Sequence, residues 1–425
     1  MSSKLTSKKL LLISQVYSPD PAAVGQYLSE FVNELVSEEW EVTVLTSRNG
    51  YDDPKVRYPI LEESPELTIH RFSFSSFGKK SFFLRVIAQI FFTIQTFFYA
   101  LFRSRPDAIL ISTSPPFVSL TGSLLSLLKR SKLYWWVMDI NPDQLCSTGK
   151  LSEHSLPALL LEWMNCFCLK RATGVITLDS FMGETLNRKV AVSKKLVVIP
   201  PWPLLQSSNY LGQIESSKNL KCETNKFRED HKLGGKFVVM YSGNHTYQHP
   251  LQTLIESAST LSDHEDIVFV FIGGGAAKKD IDSIIANGAP NVISLPYQPI
   301  SALRTTLKAS QMQVVIVGEK TVGIVHPSKI YTALNVGCPI LLIAPQECPA
   351  AQIVKGLNAG WQNEHGDVTG TVETILNAYT LSAGVRDEFG KRGAKGVEEK
   401  YSRQQLLGLL TSFVSGDTRQ LNSGK

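Results

Sequence analysis

Cysteine is sparse in this chain, and neither sign of charge dominates it. Six cysteines occur among 425 residues, without the CxxC pairs or paired spacings of zinc sites. We therefore expect reduced thiols in a cytoplasmic protein. The 43 Lys and Arg residues nearly balance the 38 Asp and Glu residues, so no nucleic-acid partner is predicted, whereas anionic ligands remain compatible. The cysteines are Cys146, Cys166, Cys168, Cys222, Cys338 and Cys348.

Internal repeats and a long N-terminal apolar run are also missing. Because no period typical of solenoids or propellers recurs, these architectures are excluded. Near the N-terminus, Leu10 to Val16 follows three lysines as in a signal peptide, but Ser14 and Gln15 interrupt the run. We interpret it as a buried first strand, with export as the less favoured alternative.

What the sequence does contain is a regular alternation of short apolar runs and longer amphipathic segments. This pattern predicts βαβ units and a parallel sheet. It stops at Ile199, before the Pro-rich segment 200–203, and restarts at Phe237. Since the chain is also too long for one core, we predict two doubly wound α/β domains, at 1–200 and 204–399.

Ligands of open α/β sheets bind beyond the carboxyl ends of the strands, where glycines and helix N-termini receive phosphates. Three such joints follow predicted strands of the second half: Ser242 to His245, Gly273 to Gly275, and Pro296 to Gln298. Each fits a phosphate or nucleobase contact, but the first two also fit ordinary turns. Tyr297 fits a core aromatic residue equally well.

The joint from Gly323 to Thr332 is the richest in candidate contacts. Pro327 or Ser328 is expected to start a helix whose first N–H groups face an anion, and Lys329 adds a full positive charge. This combination suits a diphosphate. A solvated lysine in the first turn of a helix is the alternative.

Four motifs in this order carry a resemblance to a known family. They are YSGNH at 241–245, GGG at 273–275, LPYQP at 295–299 and PSK-x-Y at 327–331. The chain resembles the retaining, family 4-like GT-B glycosyltransferases, in a subgroup that builds bacterial cell-surface polysaccharides. The resemblance implies two Rossmann-like domains facing a central cleft, with residues 400–415 crossing back to the first domain. It also implies metal independence, with which the lack of a DxD pair agrees, and no cofactor, because the nucleotide sugar is a substrate.

The resemblance also implies a set of donor-binding residues, although several depart from the family pattern. The wider family holds the diphosphate with an Arg and a Lys, whose positions fall on Asn244 and His249. Its two glutamates fall on Ile324 and Thr332. We therefore expect Lys329 to replace part of the missing charge. The full donor-binding set is Gly25, Gly243, Asn244, His249, Gly274, Gly275, Tyr297, Pro327, Ser328, Lys329 and Thr332.

In the first half, two loops resemble functional elements of the subgroup. Met138 to Asp143 is similar to its MDLYPD element, so Asp139 is the catalytic candidate, with capping of the next turn as the alternative. Ser18 to Gly25 matches the family's phosphate-side loop, with a single glycine. A retaining transfer needs a stabilised leaving group more than a strong base, and Asp139 is expected to orient the acceptor hydroxyl.

The segment from Phe82 to Phe102 is rich in phenylalanine and flanked by Lys79, Lys80, Arg103 and Arg105. Its length allows a membrane span. Its internal Arg and Gln residues, and the strand that follows, instead favour an amphipathic helix docked on an anionic membrane surface. A buried domain helix is the remaining alternative.

These features predict a glycosyltransferase at the cytoplasmic face of a membrane. It would move a hexose or N-acetylhexosamine, from UDP as the first choice of nucleotide, to a lipid-linked or growing surface saccharide. A nucleotide-sugar epimerase of the same fold and a degenerate transferase acting as a scaffold remain alternatives.

Overall fold

A computed structural model describes residues 7–50, 53–75, 82–203, 225–246, 248–286 and 288–417. Cys222, Lys79 and Lys80 lie outside these ranges. The chain divides into two compact units. The first comprises residues 1–200, 323–325 and 406–425, and the second comprises 201–322 and 326–405.

The first unit is built on an eight-stranded sheet in the order β3-β4-β2-β1-β5-β6-β7-β8. Its strands pair in parallel, except that β3 is antiparallel to β4. The predicted first strand is β1, at the centre of this sheet. The strands are β1 (Lys9–Ile13), β2 (Glu41–Ser47), β3 (Leu61–Glu63), β4 (Leu67–Phe72), β5 (Ala108–Ile111), β6 (Lys132–Val137), β7 (Gly174–Thr177) and β8 (Leu196–Val198).

Helices cover this sheet, because its central strands are apolar on both faces. The last helix that the structure describes also belongs here from Leu406 onward. Its Phe413 ring packs edge-on against Tyr134, with ring centroids 5.8 Å apart. The helices are α1 (Ala23–Ser37), α2 (Phe82–Leu101), α3 (Val118–Lys129), α4 (Asp143–Ser147), α5 (Leu156–Arg171), α6 (Ser180–Lys189) and α15 (Arg403–Ser415).

The second unit has a six-stranded parallel sheet in the order β11-β10-β9-β12-β13-β14. The order starts in the middle and winds outward to both sides, as in doubly wound folds. Its strands are β9 (Phe237–Ser242), β10 (Ile267–Ile272), β11 (Val292–Leu295), β12 (Met312–Ile316), β13 (Ile340–Ile343) and β14 (Gly360–Asn363).

Alternate residues of β9 pack into different apolar clusters on the two faces of this sheet. Phe237, Val239 and Tyr241 enter one cluster, while Val238 and Met240 enter another. The helices covering the two faces are α7 (Lys226–Asp230), α8 (Gln252–Thr260), α9 (Lys278–Ala286), α10 (Leu303–Leu307), α11 (Lys329–Asn335), α12 (Pro349–Leu357), α13 (Val368–Thr380) and α14 (Ala383–Lys400). The predicted α/β class with two Rossmann-like sheets is therefore confirmed.

Candidate functional site

The joint after β9 is shaped by the side chain of a distant lysine. Gly243 has a φ of 149°, and a Cβ atom at this position would lie 2.5 Å from the Nζ atom of Lys329. A larger residue would therefore strain the backbone and displace the ammonium group. Glycine at position 243 is needed to seat Lys329.

The joint after β10 interlocks with the joint after β9. Gly273 and Gly275 both have a φ of 136°, and a Cβ atom on either would overlap the carbonyl oxygens of Gly243 and His245, respectively. The His245 N–H donates to the Gly274 carbonyl at 2.8 Å. The triple glycine is thus required by the close approach of two backbone segments.

Tyr297 lies beside these two joints and is not a core residue. Its side chain is 60% exposed, so the core interpretation is wrong. The hydroxyl group donates to the Gly274 carbonyl at 3.2 Å and lies 3.4 Å from the Asn244 Oδ1 atom. These contacts hold the hydroxyl end of the ring at the two joints.

Lys329 holds its ammonium group against Tyr241. The Nζ atom donates to the Tyr241 hydroxyl at 3.0 Å and lies 4.2 Å from the centre of that ring. The same hydroxyl donates to the Asn244 carbonyl at 3.0 Å. Among the described residues, no carboxylate forms an ion pair with Lys329. A positive charge fixed in this way is suited to an anionic ligand.

The two histidines near Lys329 add no positive charge at neutral pH. Burial is the main cause that lowers the pKa of His249 to about 3, and the nearby Lys329 lowers it further. Burial likewise lowers the pKa of His245 to about 4, with smaller contributions from Lys278 and Lys329. His249 therefore does not replace the cation that the wider family has at this position.

The predicted helix begins directly after Ser328, but the first N–H groups differ from the prediction. Helix α11 has seven residues, and Ser328 precedes it without a side-chain cap. The N–H groups of Ser328, Ile330 and Tyr331 donate to backbone carbonyls within the turn. The expected row of N–H groups facing an anion is therefore not formed, because the turn pairs them itself.

Pro327 and Thr332 flank this turn and are both buried. Thr332, which stands where the family has its second glutamate, is 9% exposed. The side chain of Lys329 is thus the feature of this segment that offers positive charge.

Asp139 follows β6 in the first unit. Burial raises the pKa of its carboxyl group to about 6. Its Oδ1 atom accepts a hydrogen bond from Gln144 at 3.4 Å, and its N–H donates to Thr113 at 3.3 Å. The capping alternative is wrong, because Pro142 precedes α4 and no side chain caps that helix.

The segment Gly323–Val325 lies against the loop that carries Asp139, within the same unit. Asp139 and Val325 form an isolated antiparallel bridge, and the Ile140 N–H donates to the Ile324 carbonyl at 3.0 Å. Ile324, at the family's first glutamate position, therefore contributes its backbone to the surroundings of Asp139.

Gly25 lies inside the first turn of α1, which begins at Ala23. A Cβ atom at Gly25 would lie 3.1 Å from the Cα atom of Tyr17, so a close approach of helix and loop accounts for this glycine. Arg71, which the sequence analysis missed, donates to the Ser18 carbonyl at 2.9 Å from a buried position. A charged residue between Ile69 and Phe72 in strand β4 was the signal that could have found it.

Comparison with known proteins supports one family. Residues 22–202 match the model of the glycosyl transferase 4-like domain. The chain is 24% identical over 370 residues to the probable glycosyltransferase WbjE of Pseudomonas aeruginosa, covering 83% of this chain and 85% of the relative. The chain is a glycosyltransferase with the GT-B fold, and its residues 22–202 form a family 4-like domain.

Other similarities of this glycosyltransferase agree. It is 24% identical to the putative colanic acid biosynthesis glycosyl transferase WcaI of Escherichia coli, over 77% of this chain and 81% of the relative. Sucrose-phosphate synthase from Thermosynechococcus elongatus superposes with a TM-score of 0.71 at 15% identity, covering 98% of this chain and all of that one. Anabaena HepE in complex with UDP and glucose superposes with a TM-score of 0.68 at 12% identity, covering 96% and 100%.

Proposed function

We propose that this glycosyltransferase transfers a hexose or N-acetylhexosamine from a UDP-sugar, with retention and without a metal ion or cofactor. The proposed acceptor is a lipid-linked or growing surface saccharide at the cytoplasmic face of a membrane. The observation that carries the donor half is the Lys329 ammonium group, seated over Gly243 without a described carboxylate partner. A donor diphosphate would supply the missing counter-charge.

The residues around Lys329 offer partners for the phosphates and the nucleobase of a nucleoside diphosphate. Lys329 would donate to a phosphate oxygen, while Gly243 and Gly274 let the backbone approach the phosphates. The exposed ring of Tyr297 would stack on the nucleobase. UDP is the proposed nucleotide because HepE, a protein of the same fold, carries UDP and glucose.

The acceptor class is proposed from the relatives. WcaI is named for colanic acid biosynthesis, and a growing saccharide of that kind offers sugar hydroxyls as nucleophiles. The carboxyl group of Asp139, with its pKa near 6, would be mostly ionised above neutral pH and could accept a hydrogen bond from such a hydroxyl. Retention then depends on stabilising the leaving diphosphate more than on removing a proton early.

Titration calorimetry with UDP, in the presence and absence of EDTA, tests the donor half. We expect binding that EDTA does not change. A chain that binds no nucleoside diphosphate would instead be a scaffold, and donor binding lost to EDTA and restored by Mg²⁺ would refute metal independence. Incubation with UDP-N-acetylglucosamine alone tests the epimerase alternative, because only an epimerase would form a new sugar nucleotide without an acceptor.

Retention is tested by the product. Once a donor and acceptor are found, the anomeric configuration of the new glycosidic bond is read by NMR coupling constants. An α-linked donor that gives an α-linked product supports the proposal, and a β-linked product contradicts it.

A further inference from the structure

Large apolar side chains stand exposed on three helices of the first unit. Phe91, Ile94 and Phe98 lie on α2, Leu128 on α3, and Leu159 and Trp163 on α5, and each is 47–57% exposed. The opposite sides of these helices are buried, as at Phe92 and Leu125. Helices that cover a soluble sheet normally turn polar residues outward, so the outer sides of these three are unusual.

The three helices are neighbours, with α3 packed between α2 and α5. They connect β4 to β5, β5 to β6 and β6 to β7, and right-handed crossovers place such helices on one face of a sheet. At one end, the Lys129 side chain of α3 donates to the carbonyl of Arg103, just after α2, at 2.6 Å. The exposed apolar residues therefore form one surface, which we call the three-helix face.

The charged residues within the three helices are mostly cations. The helices contain one carboxylate, Glu162, and Lys189 holds it at 2.6 Å. Exposed cations stand at the ends of the helices or shortly after them, at Arg103, Arg105, Arg130 and Lys170. An apolar surface rimmed by cations is complementary to a bilayer with anionic headgroups.

A transmembrane span does not fit this geometry. The stretch Phe83–Leu101 is long and apolar enough to cross a membrane by length and composition, with 28% of it buried. Its helix α2, however, connects β4 to β5 in one sheet. Because Phe72 and Tyr99 pack edge-on with ring centroids 5.6 Å apart, α2 lies along that sheet and can present only its outer side to lipid.

We propose that the three-helix face docks on an anionic lipid bilayer, with α5 contributing as directly as α2. This inference rests on the proposed function in taking the acceptor to be lipid-linked. It extends the contact beyond the segment Phe82 to Phe102 and assigns Leu159 and Trp163 to the lipid-facing surface.

Vesicle flotation of the full chain tests the proposal, using phosphatidylcholine vesicles with and without phosphatidylglycerol. We expect binding to the anionic vesicles, lowered about tenfold or more by Phe91→Glu on α2 and equally by Trp163→Glu on α5. Lys170→Gln should lower it about fivefold on anionic vesicles at low salt. Val385→Glu, at a residue of the second unit that is 45% exposed, is the matched control and should have no effect.

Two results overturn the inference. In the first, Trp163→Glu binds vesicles as well as the unaltered chain and Phe91→Glu does not. The lipid-facing surface would then be α2 alone. In the second, the unaltered chain does not bind anionic vesicles but forms a dimer, and Trp163→Glu dissociates that dimer. The three-helix face would then be a protein interface. Melting temperatures and UDP affinity, expected to be unchanged in both variants, separate these outcomes from misfolding and from failure of the proposed donor site.

Discussion

Replacing Lys329 by alanine is expected to weaken UDP binding by about 10- to 150-fold. The reason is that a hydrogen bond to a charged group contributes about 1.5–3 kcal/mol, and each 1.4 kcal/mol is about tenfold in affinity. The ammonium group has the Tyr241 hydroxyl as its hydrogen-bond acceptor, at 3.0 Å. A neutral hydroxyl does not balance its charge, so the charge remains for the ligand.

The glycine beneath the lysine offers an independent perturbation. In Gly243→Ala, the new methyl group would lie 2.5 Å from the Nζ atom and strain a backbone at φ 149°. The ammonium group must then move, so UDP affinity should fall without any change in charge. In a double-mutant cycle, Gly243→Ala should cost less affinity once Lys329 is alanine than it costs alone, because part of its effect is exerted through the lysine.

Calorimetry with UDP measures all three variants, and Lys391→Ala is the control. Lys391 is a lysine of the same unit with an exposed side chain and an ion pair to Glu388. UDP affinity in Lys329→Ala equal to that of this control would refute the assignment of the diphosphate to Lys329. If the losses of UDP affinity in Lys329→Ala and Gly243→Ala are fully additive in the double variant, Gly243 does not act through the position of the lysine.

Three further predictions concern acidity and stability. Because burial raises the pKa of Asp139 to about 6, transfer activity should rise through that pH and level off above it. Asp139→Asn should abolish this limb and raise the melting temperature near pH 8, since the buried carboxylate costs stability only when ionised, by about 1–3 kcal/mol. Gly275→Ala should destabilise the chain by about 1–3 kcal/mol in denaturant titrations, whereas Gly234→Ala, with nothing within 4 Å, should not. Arg71→Met should cost about 2 kcal/mol through its lost bond to Ser18. Glu62→Gln should cost less, because the Glu62 carboxylate that pairs with Arg71 is half-exposed and solvent screens the pair.

The sheets were predictable because their strands are local and strongly apolar. The runs at Lys9, Phe237 and Ile267 need no distant information to read as buried strands, and all three are found. The joints at Gly243 and at Gly273 to Gly275 were likewise found from their glycines. The reason for these glycines could not be predicted from the sequence. Gly273 and Gly275 are required by contact with a joint about thirty residues earlier in the chain.

The helix start at Ser328 shows where local rules mislead. Proline followed by serine is a common helix beginning, and such a beginning normally leaves N–H groups unpaired. At the start of α11, the N–H groups of Ser328, Ile330 and Tyr331 instead donate to backbone carbonyls of the same turn. Whether a helix start binds an anion depends on the geometry of its first turn, which residue types do not specify.

The sequence predicted Lys329 as a phosphate-binding residue, but the structure gives a different reason for its position. The sequence argument added its charge to that of a helix N-terminus, whereas the structure sets it against the ring and hydroxyl of Tyr241. That contact links residues 88 positions apart and brings the YSGNH and PSK-x-Y motifs together. The two motifs thus describe one physical arrangement, in which tyrosine and glycine hold a lysine in place. A chain that keeps this lysine should therefore also keep both partners, and exchange of Tyr241 for phenylalanine, which retains the ring and removes the hydroxyl, should weaken UDP binding less than loss of the lysine.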